Sequence, residues 1–256
     1  REVMNREVIS AHVLDDQEAV SQTMARYDFL ALPVVDDENR ILGIVTVDDI
    51  VDVIQSEAVE DLQLMGAVSP TEEPYHTLSL LMRVRKRLGW LILLFFAQIL
   101  SASVIQHFSS MIDQVVALTW FVTLLISTGG NAGSQSSAII VSGLAAGQIR
   151  PRQWWRIVLR ESIVGIVIGT LLGLLLFSRA VMVDAGIFVA LTAGISMFLI
   201  VVFATMIGTL IPLILRRLGL DPALTSSPFI ATISDITGLL IYFNIARLFW
   251  AKISGM

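Results

Sequence analysis

The stretch Ile187-Phe188-Val189-Ala190-Leu191-Thr192-Ala193-Gly194-Ile195-Ser196-Met197-Phe198, continuing to Leu215, holds no charged residue. A helix needs about 20 such residues to cross about 30 Å of hydrocarbon. Four more stretches are long and apolar enough to do the same, the last two with a few charges: Leu88 to Phe108, Val115 to Leu144, Ile157 to Phe177 and Pro222 to Trp250. Buried helices of a large soluble protein would instead carry polar stripes at helical period. The composition agrees. Of 256 residues, 55% are hydrophobic and 15% charged, with mean hydropathy +0.78, whereas a soluble domain is about 45–50% apolar and about 25% charged. The expected fold class is an α-helical polytopic membrane protein with five transmembrane helices, preceded by a small α+β module and an acidic connecting helix.

Charge divides the chain. Residues 1–82 hold four Arg and 17 Asp and Glu, whereas residues 83–256 hold 13 Lys and Arg and five Asp and Glu. An acidic soluble part thus precedes a basic-flanked membrane part. Residues 1–30 are polar and show no apolar core of a signal peptide. The chain starts at Arg1 rather than Met, which suggests a longer parent. If the spans alternate, Arg83, Arg85, Lys86, Arg87, Arg150, Arg152, Arg156, Arg160, Arg216 and Arg217 share one side of the membrane. Arg179, Arg247 and Lys252 take the other. The positive-inside rule then predicts a cell-membrane protein with its N-terminus cytoplasmic and its C-terminus outside. Trp90, Trp154, Trp155 and Trp250 at span ends, with Trp120 close to one, fit an aromatic belt.

The absence of cysteine excludes disulfide, thiolate-zinc and iron–sulfur chemistry. His12, His76 and His107 form no ligand pair. Any ion handled here should therefore be a hard, oxygen-liking one.

The soluble part reads as strand, helix, strand, strand, helix. Val8-Ile9 is a short strand, Asp15 or Asp16 caps a helix through Tyr27, and Leu30–Val35 and Ile41–Val45 pair across the turn Asp36-Asp37-Glu38-Asn39. Thr46 caps the next helix, with Asp49 placed as in a capping box. That helix carries Asp48, Asp49, Asp52, Glu57 and Glu60 within one half of its circumference, with Asp61 just beyond. No Lys or Arg occurs from Ile41 to Met82. Piled-up like charge destabilises a helix unless cations neutralise it; the alternative is a plain solvated face.

A charged group in the bilayer interior costs at least about 2.5–3.5 kcal/mol and marks function by default. Asp113, Asp184 and Asp221 fall at span ends, Asp221-Pro222 reading as an N-cap with Pro at the first helical position. Glu161 lies near the inner end of its span, as an interfacial side chain or one near a pore. Asp235 lies 13 residues past Pro222, roughly 20 Å along a helix. Its face holds Ser227, Ala231, Gly238 and Tyr242, mostly small residues, and no basic residue lies within two turns. Such a carboxylate must be protonated, paired across an interface or bathed in a wet path; the last is expected. Span two supplies Ser127-Thr128-Gly129-Gly130-Asn131-Ala132-Gly133-Ser134-Gln135-Ser136-Ser137, without one large apolar side chain. Gly129, Gly133 and Ser137 allow close helix approach, while Asn131 and Gln135 would line water or brace backbone. Two chains meeting on a two-fold axis would bring two Asp235 side chains to one point. Two carboxylates with retained water suit Mg²⁺, with Ca²⁺ and Mn²⁺ left open.

Two resemblances follow from these residues. Leu32-Pro33-Val34-Val35-Asp36 and Gly43-Ile44-Val45-Thr46-Val47-Asp48-Asp49 resemble a CBS repeat, whose pattern places Thr46 and Asp49 where that family often contacts a nucleotide such as ATP. Gly129 to Ser136, Asp221-Pro222-Ala223 and Ser234-Asp235-Ile236-Thr237-Gly238-Leu239 resemble the signature segments of the MgtE family of magnesium channels. That resemblance implies a homodimer in the bilayer, a pore lined by spans two and five, and Asp235 as its aspartate. The neighbouring pore position is Ser227, where the family often has Asn. The family's cytosolic Mg²⁺ sensor matches Glu18, Asp28, Asp49, Asp52, Glu57, Glu60 and Asp61. The implied division is a CBS repeat over 1–54, an acidic connecting helix and linker over 55–87, and a pore domain over 88–256. The expected activity is Mg²⁺ import through a channel that cytosolic Mg²⁺ closes, with neither enzymatic activity nor a nucleic-acid partner. A cation- or proton-coupled transporter of divalent metal is the alternative. A nucleotide sensor without transport and an intramembrane aspartyl protease, which needs two deep aspartates, rank below it.

Overall fold

The computed structural model describes residues 8–71, 73, 76–149 and 154–254. It divides into two compact units, residues 1–62 and 63–256. Arg150 and Arg152, counted above for orientation, lie outside the described residues.

In the first unit, β1 (Ala11–His12), β2 (Ala31–Val35) and β3 (Ile41–Thr46) form a sheet in that order. β1 runs parallel to β2, with Ala11 opposite Val34, and β3 runs antiparallel, with Leu32 opposite Val45. The short strand expected at Val8-Ile9 sits three residues later, because pairing begins only where β2 offers Val34 and Val35. Ile9 instead packs on the core of Ala11, Met24, Leu32 and Ile50. Pro33 cannot donate to a ladder, and β1 leaves it outside the parallel pairing.

Asp16 opens α1 (Gln17–Tyr27) by accepting the Glu18 N–H at 2.8 Å. Asp28 closes it in the left-handed region at φ 52°. In the β2–β3 turn the Asp36 carboxylate accepts the N–H groups of Arg40 and Glu38 and pairs with the Arg40 guanidinium. The Arg40 backbone N–H, with the guanidinium and Glu38 N–H behind it, holds this carboxyl below its usual range. α2 (Val47–Met65) starts at Thr46, whose hydroxyl donates to Asp49 at 2.9 Å and whose N–H lies 3.4 Å from the same oxygen.

The second unit is helical: α3 (Leu80–His107), α4 (Ser109–Gln114), α5 (Thr119–Ala145), α6 (Trp154–Met182), α7 (Ile187–Arg217), α8 (Ser227–Leu248) and α9 (Trp250–Ile253). Five of these helices are long and apolar enough to cross a membrane, in the number and order that the sequence predicts. Several boundaries shift by a few residues, and two of the shifts are informative. α3 begins at Leu80, capped by Ser79, because a helix can run on past the apolar segment through Arg83–Arg87. The span expected from Pro222 is broken: Asp221 caps only a 3-10 turn over Pro222–Leu224, and α8 starts anew at Ser227 with Ser226 as its cap.

α7 is central and largely buried, whereas α3 is almost wholly exposed. It packs against α5, α6 and α8 around Phe121, Leu125, Met197, Ile200, Leu239 and Phe243. Small residues set the spacing. A Cβ on Gly169 would lie 2.8 Å from Phe198 O, and one on Gly173 2.7 Å from Gly194 O. A buried hydrogen bond from Tyr242 Oη to Leu118 O (2.8 Å) joins α8 to the 3-10 turn (Val116–Leu118) before α5.

Candidate ion site around Asp235

α5 presents two different faces. Its inner face is a packing seam. A Cβ on Gly133 would lie 2.8 Å from Ile230 Cγ2, 3.1 Å from Ala204 O and 3.2 Å from Ser234 Oγ, so three helices meet there. A Cβ on Gly208 of α7 would strike Gly133 O. Ser137 Oγ lies 3.1 Å from Thr225 Oγ1, and Ser134 Oγ donates to Ser227 O at 3.2 Å. These hydroxyls tie α5 to the irregular chain before α8 and to its first residue. The other face carries Ser127, Asn131 and Gln135, all exposed in the single chain. Packing seam and polar wall therefore occupy opposite sides of one helix.

Asp235 lies beside the seam. It is half-buried, eight residues into α8, hence about 12 Å from that helix's start rather than the roughly 20 Å expected from Pro222. Its Oδ1 lies 3.9 Å from where a Cβ on Gly130 would stand, and Ala231 Cβ 3.2 Å from the same point. Gly130 therefore lets α5 approach α8 closely at Ala231, with the carboxylate at ordinary contact distance beside it. Its Oδ2 accepts a hydrogen bond from Gln98 Nε2 of α3 at 3.2 Å, so the carboxylate is not unpartnered. Gln98 went unnoticed in the sequence; the available signal was a primary amide within the apolar run from Leu88 to Ile105.

The structure thus brings Asp235, Ala231 and Gly130 together. Ser227, half-buried like Ala231, opens α8 two turns before Asp235, its carbonyl held by Ser134. Gly238 turns instead toward α7, buried 3.6 Å from Ile200 through an added Cβ, and Tyr242 is buried with it. Asn131 stands on the exposed face of α5. Glu161 of α6 lies 3.4 Å from the buried Ser136 Oγ.

The acidic positions of the first unit are spread out. Glu57 accepts from Gln17 at 2.6 Å and Glu18 from Gln22 at 3.0 Å. Asp28 is the C-cap of α1, Asp49 is engaged with Thr46, and Asp52, Glu60 and Asp61 ride on α2. Among the described residues, no three His, Asp or Glu side chains gather as a ready-made metal-ligand set. Thr46 and Asp49, the nucleotide candidates, bond to each other.

Five helices long and apolar enough to cross a membrane, one of them carrying a half-buried carboxylate, together with a small α/β unit, define a multi-pass membrane protein. Residues 122–245 match the MgtE family, described as divalent cation transporter, and residues 1–56 match the CBS domain. The membrane part of the chain is thus of the MgtE family. It is 43% identical over 247 residues to a magnesium transporter MgtE of Thermus thermophilus, covering 96% of this chain and 55% of that protein. It is 41% identical over 253 residues to an Enterococcus faecalis protein of the same name, covering 97% and 54%. The chain thus spans about half the length of the curated relatives it matches. A crystal structure of the soluble part of a magnesium transporter is 61% identical over 22% of this chain and 22% of that one, with a TM-score of 0.22.

Proposed function

We propose that two copies of this chain form a Mg²⁺-conducting path in the cell membrane, with Asp235 as its ion-binding carboxylate. The observation that carries this reading is the setting of Asp235, half-buried on α8 where that helix meets Gly130 of α5, whose other face exposes Asn131 and Gln135. Exposed amides are costly against lipid and inexpensive against water or a partner. Two carboxylates across a two-fold axis would hold a hydrated Mg²⁺ through its retained waters. Ser227, Ala231 and Asn131 would border the path, with Gly238 setting the approach of α8 to α7. The relatives named as magnesium transporters support Mg²⁺ as the cargo.

Cytosolic Mg²⁺ would regulate the path through Glu18, Asp28, Asp49, Asp52, Glu57, Glu60 and Asp61. α2 lacks any basic residue, so bound cations would relieve its like-charge repulsion and favour a closed arrangement, and their loss would favour an open one. The soluble module would then lie in the cytoplasm, with its CBS part over residues 1–54 and the connecting region over 55–87. ATP at Thr46 and Asp49 would compete with the hydrogen bond that caps α2.

The test is Mg²⁺ flux into liposomes holding the purified chain. Asp235→Ala should abolish it. Flux at the wild-type rate in that variant would overturn the assignment, and flux that follows an imposed pH gradient would favour the coupled transporter.

A further inference from the structure

A cavity of about 530 Å³ opens where α5 ends, α6 begins and α7 ends. Leu144, Leu210, Leu213 and Ile214 form its wall, and Trp154, Arg216 and Arg217 its rim. The wall is continuous with the packed cluster of Ile140, Leu144 and Leu213. The rim is cationic. Among the described residues no carboxylate lines it, and neither guanidinium has an ion-pair partner.

We propose that this cavity seats one anionic glycerophospholipid, its phosphate at Arg216 and Arg217 and an acyl chain along the leucine wall. Leu210 lies seven residues before Arg217 on α7, about 10 Å deeper into the apolar span. A soluble anion would make no use of that wall. A neutral lipid would leave both guanidinium groups without a counter-charge. Trp154 stands at the rim, the level at which an indole rests between headgroup and chain. Basic pockets between membrane helices recognise anionic headgroups in this way. The site lies apart from Asp235 and does not depend on transport.

The experiment uses the purified chain in phosphatidylcholine liposomes titrated with dibrominated phosphatidylglycerol or dibrominated phosphatidylcholine. Quenching at Trp154 is taken as the difference from Trp154→Phe. The wild-type chain should prefer phosphatidylglycerol by about fivefold for each arginine. Arg216→Gln with Arg217→Gln should bring the two curves together. Arg216→Lys with Arg217→Lys should keep most of the gap, which separates loss of charge from misfolding. Coincident curves in the wild type, or an unchanged gap in the Gln variant, would overturn the proposal. So would reversal of the quenching by soluble glycerol 3-phosphate, which would reveal a site for free phosphate.

Discussion

Gln98 and Asp235 stand 137 positions apart and meet at 3.2 Å. Asp235 was legible because one carboxylate in an apolar helix is too costly to be incidental. Gln98 was not, because an uncharged amide does not single itself out among the polar side chains of the spans, and nothing in its own span names its partner. The depth of Asp235 was misread for a related reason. Asp221-Pro222 and Ser226-Ser227-Pro228 both resemble helix starts, and only the second opens α8. The contact itself is testable. A hydrogen bond to an ionised group is worth about 1.5–3 kcal/mol. Gln98→Leu removes the donor and leaves the carboxylate unoriented, so Mg²⁺ flux into liposomes at subsaturating Mg²⁺ should fall on the order of tenfold. Unchanged flux would show that Gln98 does not position Asp235.

At the scale of elements, α5 combines two roles that its sequence mixes together. Eleven small or polar residues in a row could not be sorted into seam and wall until α7 and α8 were in place. Gly129, Gly130 and Gly133 then face neighbours, while Asn131 and Gln135 face outward. The seam predicts a contrast between two glycines. At Gly208 an added methyl meets the backbone carbonyl of Gly133, which has no rotamer to change. Gly208→Ala should cost about 1–3 kcal/mol or more and lower the melting temperature of the detergent-solubilised chain. Gly89, in mid-helix with nothing within 4 Å of an added Cβ, should gain up to about 1 kcal/mol as Ala. Equal melting temperatures for the two variants would contradict the α5–α7 crossing. The start of α3 shows the same limit of sequence reading: hydropathy marks where a helix becomes greasy, not where it begins.

On the scale of the whole molecule, the five candidate spans were legible from hydropathy, and five crossings would put the two ends of the membrane part on opposite sides. Which side is which rests on Lys and Arg alone. Because the chain has no cysteine, single cysteines report topology cleanly. In intact cells Ser254→Cys should react with a membrane-impermeant thiol reagent, whereas Ser79→Cys should react only after permeabilisation. The reverse pattern would invert the proposed orientation.

The proposed pairing of two chains can be tested on the exposed face of α5. One chain supplies only one deep carboxylate on α8 and leaves Asn131 and Gln135 of α5 exposed. Lipid cannot satisfy those amides, so water or a second copy must. Leu171 of α6 is also exposed, at 58%, but lipid suits it. A two-fold axis near Asp235 therefore predicts that Asn131→Cys and Gln135→Cys cross-link two chains in native membranes through a short bismaleimide, doubling the mass on a denaturing gel. Leu171→Cys should stay monomeric. Cross-linking at Leu171 in place of the α5 positions would put the axis elsewhere and leave each Asp235 without a counterpart. A single carboxylate holds a divalent ion far less well than two, so the conduction proposal and the axis stand or fall together.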